Sequence, residues 1–430
     1  MNNIPCYTFE NKILNESYRK YCHKSGLDIY VFPKKMTTAY ALFGVKYGSL
    51  NNELKCGDYS ITVPDGIAHF LEHKMFSNED GSDSFERFSN YGADANAYTS
   101  FNRTAYLFSC TDNFEKSLKE LLSFVRNPYF TEDTVESEKG IIAEEIKMYD
   151  DSPGDRCYYG MLEGLYENHG IKKNICGTVK SISQITPEML YRCHSHFYKL
   201  SNMMLIVCGD IEDTVVLDIV DSEIKDICTE KTMVDLNDNK NESPKAYKPY
   251  VERKMQVAKP LFNIGFKDTD ISDNGSERQK KDAVMAILNE MLFSRAGELY
   301  NSLFERDLIS PNLSYGYTIT KSAAYNSIAG EADDPSLVLK EIQQYILKTM
   351  QSGLSRDDFE RGKRVMYAEF VKSFDSTDSI ANNLFSFICD DADLLSYSEL
   401  IDSVTFEEVC EQFVRSFNKD STVLSVVLPL

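Results

Sequence analysis

The stretch GIAHFLEHKMF, residues 66–76, places His69, Glu72 and His73 in an H-x-x-E-H arrangement. A helix turns ~100° per residue, so His73 falls ~40° to one side of His69 and Glu72 falls ~60° to the other. Two imidazoles one turn apart can bind Zn²⁺ while the carboxylate between them reaches the metal's water. The stretch therefore predicts a helix with two metal ligands and a proton acceptor on one face.

The alternative is a core helix, because Ile67, Phe70 and Leu71 supply apolar contacts and hydrogen bonds could satisfy the histidines. Two observations favour the metal site. H-x-x-E-H is a known metallopeptidase signature, and of only six histidines in 430 residues, two lie here. A catalytic zinc takes three protein ligands, so a third has to come from elsewhere in the chain.

Residues 131–150 have the period of a helix that could supply this ligand. One stripe of it combines apolar residues with two carboxylates: Val135, Glu138, Ile142, Glu145 and Tyr149. Burying an unpaired carboxylate is costly, so a cation has to compensate if this face points inward. Glu144 lies ~100° from Glu145 and is expected to face solvent. The alternative is an exposed face whose carboxylates pair with Lys139 and Lys147.

Three stretches resemble a known family: residues 66–76, residues 92–103 (GADANAYTSFNR) and residues 138–146 (EKGIIAEEI). The family is that of insulinase and pitrilysin (M16), zinc metallopeptidases with this inverted motif, which includes the subunits of the mitochondrial processing peptidase. The resemblance covers nearly the whole chain, and it is closest to short bacterial members of about this length.

The resemblance implies that Glu145, the second residue of an E-x-x-x-x-x-x-E pair, joins His69 and His73 as a zinc ligand. Glu138, the first residue of the pair, would help to orient the site. Glu72 is then the general base, which takes a proton from the attacking water and later gives it to the leaving amine. We expect one zinc per chain.

Substrate contacts are expected from Asn96 and Ala97, because the resemblance places them on an edge strand beside the metal, where an extended peptide can add as a further strand. Family members often contact the scissile carbonyl through an Arg and a Tyr in a pattern like R-x6-Y. Tyr315 is a candidate for this role, but the strict spacing falls on Leu308, and Arg306 stands two residues too early.

The chain also contains an internal repeat. Residues 131–145 align without gaps on residues 355–369 at an offset of 224, and residues 185–207 resemble residues 404–427 at an offset of 219. Two matches at nearly one offset indicate a duplication. The predicted fold is α+β, with two homologous layers of sheet faced by helices.

We place the catalytic domain at residues 1–228, a polar linker at 229–250 and the homologous domain at 251–430. The second domain lacks H-x-x-E-H, because its corresponding helix reads ILNEMLFS at residues 287–294.

The composition, with 42% hydrophobic and 26% charged residues, is that of an ordinary globular protein. Its 46 basic and 67 acidic residues give a net charge of −21, which argues against nucleic acid or an anionic membrane as a partner. The eleven cysteines form no C-x-x-C pair, and we find neither a signal peptide nor a run of about 18 apolar residues. We therefore expect reduced thiols and a cytoplasmic location.

The predicted function is zinc-dependent endopeptidase activity on unfolded or small peptides, or on precursor segments, in an enclosed chamber. Long family members close two bowls around the substrate, and this chain corresponds to one bowl. The resemblance thus implies half of a clamshell that forms a homodimer or pairs with a related chain lacking the motif. The alternative is a peptide-binding subunit of a heteromeric processing peptidase, active only with its partner. The intact motif disfavours a purely structural subunit.

Overall fold

Two large sheets and one two-stranded sheet organise the chain, of which the computed structural model describes residues 4–56, 59–227 and 242–430. The strands are β1 (Cys6–Asn11), β2 (Glu16–Cys22), β3 (Asp28–Pro33), β4 (Ala39–Val45), β5 (Glu53–Cys56), β6 (Tyr59–Thr62), β7 (Ala93–Thr99), β8 (Thr104–Cys110), β9 (Met203–Gly209), β10 (Tyr250–Met255), β11 (Leu261–Asp268), β12 (Ser314–Ile319), β13 (Ala324–Glu331) and β14 (Thr422–Pro429). The helices are α1 (Ile67–Lys74), α2 (Ser84–Tyr91), α3 (Phe114–Arg126), α4 (Glu132–Asp150), α5 (Pro153–Leu165), α6 (Val179–Ile182), α7 (Pro187–Phe197), α8 (Asp213–Glu223), α9 (Gly275–Phe293), α10 (Glu298–Glu305), α11 (Pro335–Ser352), α12 (Arg356–Lys372), α13 (Thr377–Cys389), α14 (Tyr397–Ser403) and α15 (Phe406–Ser416).

The first sheet has seven strands in the order β1-β2-β3-β9-β4-β8-β7. Its central strands β4 and β9 are apolar and buried along their whole length, as expected for strands with both faces covered. Phe43 and Val207 belong to a core that includes α1 and α3, whereas Leu42 and Ile206 belong to a core that includes the second half of the chain. The predicted edge strand is part of β7, which ends the sheet beside β8.

The second sheet has five strands in the order β10-β14-β11-β13-β12, which repeats the order β3-β9-β4-β8-β7 of the first sheet. In both orders the first two strands run parallel to each other, and every later pair of neighbouring strands is antiparallel. Helices α7 and α15 correspond at the offset of 219 found in the sequence. The prediction of two homologous layers of sheet and helix is therefore confirmed.

Each half contributes one helix to the sheet of the other half. Helix α5 packs against β10, β11 and β14, whereas α13 packs against β4 and β9. The two helices are equivalent copies, because their positions differ by the sequence offset of 224. Asn382 on α13 donates to the Tyr40 hydroxyl at 2.9 Å and accepts from the Tyr98 hydroxyl on β7 at 2.9 Å. The second half thus reaches the edge strand beside the predicted metal helix.

The predicted linker, residues 229–250, falls mostly outside the described residues, which resume at Glu242. The domain limits placed around it therefore stay predictions. Nine cysteines in the described ranges, Cys110 and Cys176 among them, are free thiols. No described helix combines the length and the apolar character needed to cross a bilayer.

Candidate active site

Helix α1 packs its apolar residues into the core that it shares with α3, and its His69 and His73 side chains face α4. The centroids of the two imidazole rings lie 4.5 Å apart. The helix begins after Gly66, whose φ is 92°. A side chain at Gly66 would place its Cβ 2.4 Å from the carbonyl oxygen of Cys176, so both the backbone conformation and the close approach require glycine.

Helix α4 brings one carboxylate to both histidines. Glu145 Oε1 lies 3.6 Å from His69 Nε2, and Glu145 Oε2 lies 3.5 Å from His73 Nε2. Nitrogen and oxygen ligands at ~2.0 Å from a tetrahedral zinc are ~3.3 Å apart, so these side chains fit the ion after a small adjustment. Glu144, by contrast, has a side chain 74% exposed and pairs with Lys147.

Glu138 contacts His73 from the side away from Glu145. Its Oε1 lies 3.1 Å from His73 Nδ1, which leaves Nε2 of that ring for a metal. Its Oε2 lies 3.6 Å from the buried ammonium of Lys74. Burial opposes ionisation, but His73 and Lys74 hold the pKa of the Glu138 carboxyl below its usual value. Lys139, the alternative partner considered from the sequence, pairs with Glu136.

Glu72 is buried on α1 between the histidines and β7. The Thr99 hydroxyl on β7 donates to Glu72 Oε2 at 2.6 Å. Burial raises the pKa of the Glu72 carboxyl above its usual value, although Thr99 and the two histidines act in the opposite direction. A carboxyl that binds a proton more readily than usual is suited to act as a general base.

A cavity of about 600 Å³ borders these groups. Asn96 and Ala97 of β7 line it, beside the metal-binding side chains. Its wall also contains aromatic and aliphatic side chains, namely Phe76, Phe85, Tyr98, Ile141, Tyr149 and Tyr159. Every lining residue lies between His69 and Cys176 in the sequence, so the described part of the second half contributes none of them.

The two candidates from the second half do not line this cavity. Tyr315 donates to Glu290 at 2.7 Å. Arg306 lies at the surface and forms a two-pronged ion pair with Glu341, with its shorter contact at 2.6 Å. Within one chain, neither side chain joins the metal-binding cluster, and their catalytic role stays a prediction.

Sequence reasoning assigned no role to Thr99 or Cys176, although both lie at the site. Thr99 falls two residues after Ala97 on the same strand, so the period of two could have indicated that both side chains share a face. Cys176 lies 107 residues from His69, and no local pattern connects them. The contact depends on the tertiary fold.

Comparison with known proteins identifies the family to which this chain belongs. Residues 45–179 match the family model described as Insulinase (Peptidase family M16), and residues 184–366 match the Peptidase M16 inactive domain. The chain is 37% identical over 412 residues to the uncharacterized zinc protease YmfH of Bacillus subtilis strain 168, covering 94% of this chain and 95% of that protein. This chain belongs to the M16 family of zinc proteases, and zinc is its cofactor.

Solved structures agree with this assignment. A crystal structure of an M16-like peptidase from Alicyclobacillus acidocaldarius has a TM-score of 0.91 at 29% identity, covering 98% of this chain and all of that chain. Pitrilysin has a TM-score of 0.72 at 13% identity, and the match covers all of this chain but 46% of pitrilysin. The second likeness shows the fold alone.

Proposed function

We propose that this M16 protein is an endopeptidase for unfolded or small peptides and precursor segments, with His69, His73 and Glu145 as the ligands of one zinc per chain. The observation that carries the proposal is the approach of one carboxylate to both imidazoles, at 3.6 and 3.5 Å. Two neutral nitrogens and one carboxylate form a typical ligand set for a catalytic zinc. Glu138 supports it by fixing the orientation of the His73 ring.

Bound zinc would polarise the peptide carbonyl and lower the pKa of a water. Glu72 accepts the proton of the attacking water and transfers it to the leaving amine, while Thr99 holds its carboxylate in position. Asn96 and Ala97 lie on the edge strand β7, which can form a ladder with the backbone of an extended peptide. Recognition through the backbone would allow many substrate sequences.

Metal analysis and a peptide-cleavage assay on two variants test this assignment. Glu72→Gln should retain one zinc per chain and lose roughly a hundredfold or more in rate, as expected for removal of a general base. Glu144→Gln changes an exposed carboxylate on α4, and as the control it should change neither quantity. A Glu72→Gln protein without zinc, or with the wild-type rate of cleavage, would refute the assignment of Glu72 as the general base.

We further infer that a second chain completes the chamber. The cavity is lined from residues 69–176 alone, and neither Tyr315 nor Arg306 reaches it within one chain. Either a homodimer or a complex with a related chain lacking H-x-x-E-H would supply the opposite wall. By light scattering, a homodimer should have about twice the mass of the 49.1 kDa chain. A monomer that cleaves peptides at full rate, unaffected by any added partner, would contradict this inference.

The same one-sided cavity supports an alternative, a peptide-binding subunit that is active only with a partner chain. This alternative predicts that the isolated protein binds zinc and peptide but does not cleave until the partner is added. The cytoplasmic location expected from the sequence stays a prediction.

A further inference from the structure

Cys176 contributes a thiol to the cluster that already holds two of the proposed zinc ligands. Its Sγ lies 3.8 Å from His69 Nε2, the nitrogen that faces Glu145. Donor atoms of His69, Glu145 and Cys176 all lie within 4.8 Å of one another, and this group, which does not include His73, is the potential metal cluster found among the described residues. Cys176 is 4% exposed and lines the cavity with the other two residues.

The backbone around Cys176 is fixed to the beginning of α1. The Cys176 carbonyl packs against Gly66, where an added Cβ would lie 2.4 Å from its oxygen. The next residue, Gly177, has a φ of 73° and packs as closely against the Asp65 carbonyl oxygen, at 2.4 Å from its own Cβ position. The Ser181 hydroxyl donates to the same Asp65 oxygen at 2.7 Å.

A further hydrogen bond fixes the backbone of Cys176. The Cys176 amide donates to Asn174 Oδ1 at 2.9 Å, which closes a tight turn just before the cysteine. The segment that carries the thiol is therefore packed directly against the beginning of the helix that carries His69.

The distances match those expected for two ligands of one metal, and the thiol and the imidazole also lie within hydrogen-bonding distance of each other. A nitrogen and a sulfur bound to the same tetrahedral zinc, at ~2.0 and ~2.3 Å, lie ~3.6 Å apart. The observed 3.8 Å from His69 to Cys176 is close to this value, as is the 3.6 Å from His69 to Glu145. Thiolate is also a preferred ligand of zinc, which is bound by sulfur in many protein sites.

We propose that Cys176 is a fourth protein ligand of the zinc when no substrate is bound. The inference rests on the proposed function, in which His69, His73 and Glu145 hold the metal. On coordination the S–H bond breaks, a zinc–sulfur bond forms and the proton leaves to solvent, with no change in oxidation state. A peptide that enters the cavity would displace this thiolate, which would take up a proton from solvent. Without substrate, zinc would then have no coordination position left for water, and substrate binding would free one.

X-ray absorption at the zinc edge tests the proposal directly on the full-length zinc protein. The wild-type spectrum should require one sulfur neighbour at ~2.3 Å per zinc. Cys176→Ala should remove this neighbour, and Cys176→Ser should replace it with a lighter oxygen or nitrogen. Cys110→Ala is the matched control, since Cys110 is also 4% exposed but borders a different cavity, and its spectrum should keep the sulfur.

Cobalt substitution gives a second readout that does not depend on activity. The cobalt protein should show an intense near-ultraviolet thiolate-to-metal band, absent from Cys176→Ala and retained in Cys110→Ala. Adding an unstructured peptide to the cobalt form of Glu72→Gln, which should not hydrolyse it, should weaken the band.

The outcomes separate this inference from the proposed function. A wild-type protein with one zinc per chain but only nitrogen and oxygen neighbours would overturn the role of Cys176 and leave the function intact. A sulfur neighbour that persists in both Cys176 variants would also overturn it. A wild-type protein that binds no zinc would instead refute the proposed function. If Cys176→Ala does not fold, the spectra of the wild-type protein and of Cys176→Ser still test whether Cys176 binds the metal.

Discussion

The hydroxyl of Thr99 donates a 2.6 Å hydrogen bond to Glu72 Oε2, from the edge strand to the metal helix. Thr99→Val keeps the shape of this side chain but removes the donor. A hydrogen bond to a charged group contributes roughly 1.5–3 kcal/mol, so we expect kcat/KM to fall roughly 10- to 100-fold. Zinc content should not change, because Glu72 is not a ligand. Thr99→Ser retains the hydroxyl and should stay near the wild-type rate. Equal losses in both variants would show that packing, rather than the hydrogen bond, is what matters.

Zinc affinity should depend on Glu145 and not on its neighbour Glu144. Glu145→Gln removes a charged oxygen that lies 3.6 Å from His69 Nε2. We expect zinc affinity, measured by competition with a chromophoric chelator, to fall by at least the roughly 10- to 100-fold typical of losses around a metal site. Glu144→Gln affects only an exposed pair with Lys147 and should leave affinity unchanged. Similar losses in both variants would mean that the wrong face of α4 has been assigned to the metal.

The carboxylate of Glu138 should tune the site without binding the metal. Glu138→Gln weakens the hydrogen bond that orients the His73 ring, and it removes the negative charge that pairs with buried Lys74. We expect roughly a 10- to 100-fold loss in zinc affinity or in kcat/KM, smaller than that of Glu145→Gln. Glu136→Gln, which affects the exposed pair with Lys139 on the same helix, is the control and should behave as wild type. A Glu138→Gln protein as active as wild type would argue that His73 is oriented by packing alone.

A buried ion pair far from the metal should govern stability in acid. Lys267 Nζ, on a side chain 1% exposed, lies 2.8 Å from Glu242 Oε2. Burial alone would raise the pKa of Glu242, but Lys267 and the amides of Asn168 and His169 lower it to about 2. Because this folded-state pKa lies below the ordinary 4.5, the pair stabilises the fold above that pH. Its contribution is lost as the pH falls from about 4.5 toward 2.

Urea unfolding of Glu242→Gln at several pH values measures this effect. At pH 7 the variant should have a lower unfolding free energy than wild type, and the difference should shrink steadily below pH ~4.5. Glu407→Gln, which alters a fully exposed pair with Arg356, is the control and should change stability little at any pH. A Glu242→Gln deficit that is constant with pH would show that the lost interaction is not the charge.

Helices and strands with strong periodicity could be predicted from the sequence, because the spacing of apolar residues within one segment shows which of its faces is buried. Helix α4 begins and ends within one residue of the limits predicted for it, residues 131–150. The metal-binding face of α1 could be predicted for the same reason. Contacts of Thr99 and Cys176 could not, since each depends on how separate segments pack. Likewise, the packing of α5 against the second sheet depends on the tertiary fold and could not be predicted from its own residues.

The reciprocal packing of α5 and α13 also bears on how the protein folds. The apolar residues of α13, among them Leu384 and Phe385, fill the core beneath β4 and β9, and Met161 and Leu165 of α5 fill the core beneath the other sheet. Each half therefore leaves one face of its sheet uncovered until both have been synthesised, and the loss of one half exposes that face in the other. We expect the chain to unfold in one cooperative transition despite its duplicated architecture. This packing constrained how the two copies could diverge after duplication, because each change in α5 or α13 had to remain compatible with the sheet of the other half.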